Sequence, residues 1–160
     1  MNRYTFILSL IILLLAVSCT DTPKKNISGP KSKRELYRGA LTTQDSLLSR
    51  KIVATFMDFV QKGKYADAVM MLHKLDEKEP YSTPILLDND EIEQTMSLLK
   101  KFPVQSYVIE SIIYDSAVNN PTRCKVLVKT GNSDVPVHFT WIFNPINYLG
   151  EWKLCFPMNK

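Results

Sequence analysis

The 160-residue chain has no apolar run long enough to span a bilayer. Its longest, residues 6–17, covers about 12 positions with Ser9 as the one interruption, where a membrane-crossing helix needs roughly 20. A permanent transmembrane helix is therefore not expected. Charge of one sign is also scarce where it would matter. The formal net charge is +4, but residues 20–41 alone carry six Lys and Arg against two acidic residues, and from Thr42 onward thirteen basic residues face fourteen acidic ones. The basic excess belongs to a short N-terminal segment, and the rest of the chain has no electrostatic footprint for nucleic acid. Metal-binding residue types are equally thin. Asp88, Asp90, Glu91 and Glu93 lack the glycine and the later glutamate of a helix-loop-helix calcium site, and read instead as acids at the positive end of a helix. No metal or cofactor site is expected.

What is present at the N-terminus is more specific. Arg3 supplies a short positive start, residues 6–17 an apolar stretch, and Ala16, Val17 and Ser18 a run of small residues before Cys19. This is the layout of a cleavable export signal over residues 1–18. Leu15, Ala16, Val17, Ser18 and Cys19 resemble the lipobox of bacterial lipoproteins. That resemblance implies a thiol alkylated by diacylglycerol, an acylated Cys19 amine, and a membrane partner reached through these chains, two or more of which make a stable anchor. It also implies the cell envelope of a Gram-negative bacterium, with the outer membrane facing the periplasm as the default location. An ordinary secretion signal cut elsewhere, with Cys19 incidental, is the alternative.

Residues 19–41 contain Pro23, Gly29, Pro30, Gly39 and several Ser and Lys, and read as a lipidated cysteine followed by a flexible basic tether. The basic residues suit either anionic head groups or plain solvation. Residues 42–160 are expected to form one α+β domain. Leu48, Ile52, Phe56, Phe59 and Val60 recur at helical spacing from a start at Thr42 or Thr43, with Gly63 as the stop. A second helix is expected over residues 64–75, a loop over 76–87, and a third helix from an Asp88 or Asn89 cap to Lys101. After Pro103 the period turns to alternation, giving four antiparallel strands over residues 104–114, 123–129, 135–143 and 151–156. Their turns are expected at Asn119–Pro121, Gly131–Ser133 and Asn144–Asn147. About three N-terminal helices would then pack on a curved four-stranded antiparallel sheet.

This order of elements, the Gly63, Lys64, Tyr65, Ala68 passage and the Gly150, Glu151, Trp152, Lys153, Leu154 strand resemble the nuclear-transport-factor-two-like cone, including its small lipoprotein domains of unknown function. The resemblance implies a pocket between helices and sheet, with Phe56, Phe59, Phe139, Trp141, Phe143 and Trp152 as its candidate lining. The same rings would also serve to fill a small core. No catalytic residue is assigned. His138 alternates away from Val137 and Phe139, His73 falls on the expected second helix, and Tyr114 and Asp115 at a strand end have no assignable partner. Cys124 and Cys155, on opposite strand faces by alternation, are expected as free thiols. The functional expectation is an envelope lipoprotein with a small binding or protein-interaction domain, its partner a small apolar ligand or another envelope protein. The alternative is a cavity enzyme of the isomerase or cyclase type acting on a small apolar molecule.

Overall fold

A computed structural model describes residues 31–129 and 135–157. The expected leader, Cys19, most of the tether and the Gly131–Ser133 turn lie outside the described residues. Four helices and six strands follow one another in the described chain: α1 (Lys33–Ala40), α2 (Thr43–Gln61), α3 (Tyr65–Val69), β1 (Leu72–Lys74), β2 (Ile85–Leu86), α4 (Asn89–Lys101), β3 (Val104–Ile112), β4 (Thr122–Val128), β5 (Val137–Tyr148) and β6 (Glu151–Cys155).

The long helices begin where their caps dictate. Thr42 accepts from Asp45 N while the Asp45 carboxylate accepts from Thr42 N, and Asp88 and Glu91 repeat the arrangement before α4. Each reciprocal pair satisfies two of the N–H groups that a helix start leaves open. Helix α2 ends at Gly63, whose φ of 71° suits glycine, and α4 ends with Lys100 and Lys101 in its last turn. Helix α1 falls within the segment expected as tether. A capping box between Ser32 and Glu35 starts it, and none of its residues is buried. Polar contacts hold it instead. Arg34 Nε pairs with the Asp115 carboxylate at 3.1 Å, and Arg38 Nε donates to the Tyr114 carbonyl at 2.9 Å.

The sheet corrects the expected architecture. It has six strands in the order β2-β1-β6-β5-β4-β3, and β1 runs parallel to β6, so it is mixed rather than a four-stranded antiparallel meander. The described helices number four, not about three, and α4 is followed directly by β3. The second helix expected over residues 64–75 stops at Val69, because Leu72 and His73 leave helical geometry to pair with Leu154 and Cys155. Two residues of the expected loop, Ile85 and Leu86, pair with β1 as its antiparallel neighbour.

The expected turn at Asn144–Asn147 is likewise absent: β5 runs on to Tyr148 and reverses at Leu149 and Gly150, both at positive φ. Asn144 is consumed by a buried network, while Asn147 Oδ1 accepts from the Gly150 N–H at 2.9 Å in the turn that follows. Asn144 Oδ1 accepts from the Asn120 amide at 2.6 Å and its Nδ2 donates to the Val118 carbonyl at 2.9 Å, while Asn120 Nδ2 donates to the Pro145 carbonyl at 3.0 Å. These bonds tie residues 118–120 to the middle of β5. Pro145 sits beyond the last residue that pairs with β4, Phe143, where the strand has only β6 beside it, a position a sheet tolerates for proline.

The core lies between α2 and the face of the sheet carrying Cys124, Val126 and Val128. Val53, Phe56, Met57 and Val60 of α2 meet these residues together with Val69, Leu72, Leu99, Val104, Phe143 and Leu154. Cys124, Val126 and Val128 stand opposite Trp141, Phe139 and Val137 in the antiparallel register, so those β5 side chains share the inner face.

Candidate functional site: an aromatic groove between α4 and β5

Burial of that inner face fades along β5. Phe143 is 5% exposed, Trp141 is half-buried, and Phe139 reaches 39%. The sheet register supplies the reason. β6 pairs with β5 only over Asn144–Tyr148, so alongside residues 137–143 no described strand flanks β5 on that side. After β6 the chain turns toward β1, the Phe156 N–H donating to the His73 carbonyl at 3.1 Å. A gap is left between β5, the departing Phe156 and helix α4.

Two adjoining clefts occupy this gap. The larger, about 250 Å³, has Phe56, Leu72 and Phe143 as floor, Thr95, Leu98 and Leu99 of α4 as one wall, and Trp141, Ile142 and Phe156 around the rest. The smaller, about 160 Å³, is bounded by Leu98, Phe102, Phe139 and Trp141. Leu98 and Trp141 belong to both, so the clefts form one groove along α4. Edge-to-face ring pairs hold the walls: Phe56 with Phe143 at 5.1 Å, Trp141 with Phe143 at 6.4 Å, and Phe102 with Phe139 at 5.9 Å between centroids. No ionisable side chain among the described residues lines either cleft. Leu98, at 58% exposed, is held in water by a helix that could have carried a polar residue there.

Of the six rings expected to line a pocket, the structure brings Phe56, Phe139, Trp141 and Phe143 together here. Phe59 packs against the core and lines neither cleft. Trp152 lies elsewhere, in a third cleft of about 360 Å³ between α2 and the β5–β6 turn, with Leu48, Lys51, Ile52, Thr55, Met71, Gly150 and Glu151. Its indole N–H donates to Asp45 Oδ1 at 3.3 Å and its ring meets Tyr114 edge-on, so it braces the fold rather than the groove. The α4 wall and Phe156 were missed as pocket residues. Thr95, Leu98 and Phe102 follow the i, i+3, i+7 spacing of a second stripe beside the core stripe of Ile92, Met96 and Leu99, and that widened apolar face is the signal for a second surface on the helix.

The remaining sequence candidates are placed away from the groove. His73 is on β1 rather than on a helix, its Nδ1 3.0 Å from the Met71 carbonyl oxygen, and His138 is exposed on β5 opposite Leu127. Tyr114 and Asp115 serve helix α1, and Tyr114 Oη also meets Ser49 Oγ at 2.6 Å. Asp88 and Glu91 cap α4 and bind Lys74, whose Nζ lies 2.7 Å from both Glu91 oxygens. No group of three metal-ligating side chains is found among the described residues. Cys124 and Cys155 are buried free thiols, their pKa values pushed up by burial to about 11 and about 12, which makes them poor nucleophiles. Against alternation, Cys155 is as buried as Leu154, and its β5 neighbour Asn144 is buried with it, so both faces of the sheet are covered at this point.

No model of a known protein family matches the chain, and no curated protein does either. Function has to be argued from the groove and the N-terminal segment. No helix among the described residues is long and apolar enough to cross a membrane.

Proposed function

We propose that this chain is an exported lipoprotein of the Gram-negative cell envelope, cut before Cys19, anchored through acyl chains on that residue, and carrying a domain that binds a small apolar ligand in the groove between α4 and β5. The anchored end is assigned to the outer membrane, facing the periplasm. Support for export and anchoring comes from the small residues 16–18 before Cys19, following an apolar stretch too short to span. The binding reading is carried by one observation: two clefts share Leu98 and Trp141, and their lining among the described residues is wholly non-ionisable. Binding sites for small molecules are concave and mostly apolar, and enzymes of the cavity type additionally need a titratable group facing the ligand. The groove offers the first and not the second.

A neutral fluorescent probe, N-phenyl-1-naphthylamine, tests the binding reading. Residues 31–160 should bind it saturably at one site per chain, and Leu98→Asp should weaken binding about tenfold, since a carboxylate would replace an apolar wall. Leu98 is largely exposed, so the substitution leaves the core intact. Equal binding by both proteins would place the probe outside the groove and end this reading.

A further inference from the structure

The groove is apolar along its length but electrically unequal at its ends. Helix α4 gathers acids at its start, where Asp88 and Glu91 are engaged by Lys74. At its other end stand Lys100 and Lys101. Lys101 Nζ sits 5.7 Å from the centre of the Phe102 ring, a wall of the smaller cleft, and has no carboxylate partner among the described residues. The full positive charge of Lys101 outweighs the half-charge of the helix C-terminus, which on its own would repel an anion, whereas Lys100, two residues from Leu98, falls on another face of the helix. From Thr95 to Phe102 the helical wall runs about 10 Å at the helical rise, with the smaller cleft at the Lys101 end.

We infer that the groove takes a single-chain anionic amphiphile, a medium-chain fatty carboxylate, with its tail against Leu98, Trp141 and Phe143 and its head group beside Lys101. This rests on the reading of the groove as a binding site and adds the ligand's charge and orientation. The charge asymmetry selects an anion over a cation or a neutral alcohol of equal tail.

Of the two tryptophans, Trp141 lines the groove and Trp152 does not. A Trp152→Phe background therefore leaves Trp141 emission as a local reporter. Titrations of this protein with decanoate, decanol and decyltrimethylammonium, all kept below their aggregation concentrations, should rank them in that order. Decanoate should bind about threefold more tightly than decanol, the size of effect expected of a part-exposed ion pair at low salt. Lys101→Glu should reverse the order of decanoate and decyltrimethylammonium while leaving decanol unchanged, and Leu98→Asp should weaken all three. If decanol binds as well as decanoate and Lys101→Glu changes nothing, the groove still binds apolar tails but the charge inference is wrong. If none of the three perturbs Trp141, the binding-site reading fails with it.

Discussion

Asn144→Ala should be among the most damaging single substitutions in the domain, although it removes only a small polar side chain. Asn144 is 1% exposed, and its amide satisfies two buried backbone groups, the Asn120 N–H at 2.6 Å and the Val118 carbonyl at 2.9 Å. Truncation strands both, and an unsatisfied buried group costs about 1–3 kcal/mol, so the expected loss is about 3 kcal/mol with a small cavity adding to it. For a domain of this size that lowers Tm by on the order of 10 °C. Asn144→Asp refines the test: it keeps the acceptor for Asn120 but turns a donor into a charge facing the Val118 carbonyl, and should be no better than alanine at neutral pH. Urea unfolding of residues 31–160 followed by tryptophan fluorescence reads both. A loss below about 1 kcal/mol for Asn144→Ala would refute the claim that this network, rather than a turn, occupies the Asn-Pro-Ile-Asn stretch.

Three further outcomes follow from the same geometry. Tyr37 Oη and Asn120 Oδ1 are enclosed without a well-formed hydrogen bond among the described residues, and burial raises the phenol's pKa with only a smaller opposing effect from the nearby Asn120 side chain, so Tyr37→Phe should leave Tm unchanged or raise it slightly. Asp45 is held below its ordinary carboxylate pKa, first by the Thr42 hydroxyl and then by the Thr42 backbone N–H, so its stabilising effect is complete above the unfolded value near 4 and is lost as pH falls through the lower folded value. Asp45→Asn should therefore reduce stability at pH 7 and flatten its fall in acid, as read by urea midpoints between pH 2 and 7. Cys124 and Cys155, raised to about 11 and about 12 by burial, should resist iodoacetamide at pH 8 in the native protein and react fully once unfolded, as intact mass will show.

The long helices were legible because their signals are local. Thr42 with Asp45, and Asp88 with Glu91, announce starts within four residues, and Gly63 and the Lys100-Lys101 pair announce ends. The inner face of β4 was legible too, since Cys124, Val126 and Val128 alternate cleanly. What escaped depends on distant partners. Leu72–Lys74 reads as helix by spacing, and only β6, some eighty residues later, draws it into a parallel pair. Asn144 and Pro145 carry turn chemistry, yet Asn120 and Val118 absorb the asparagine's polar groups and let the strand continue. Helix α1 has no fully buried residue, and its docking uses Asp115, the Tyr114 carbonyl and the partly enclosed Tyr37, which no local pattern reveals. Four of the six candidate pocket rings converge because β5 alternation keeps Phe139, Trp141 and Phe143 on one face. Trp152 departs because β6 swings its ring toward Asp45.

The lipid anchor at Cys19 is the central claim about what this protein is, and intact mass with membrane partitioning tests it most directly. The full chain and a Cys19→Ala variant would be expressed in a Gram-negative host and compared. The wild-type chain should lose residues 1–18, gain the mass of a diacylglyceryl group and a further acyl chain, and sediment with outer membranes, while the variant should do none of these. If the two chains differ in mass only by the substitution and partition alike, Cys19 carries no lipid, and the protein is either freely secreted or held by its leader.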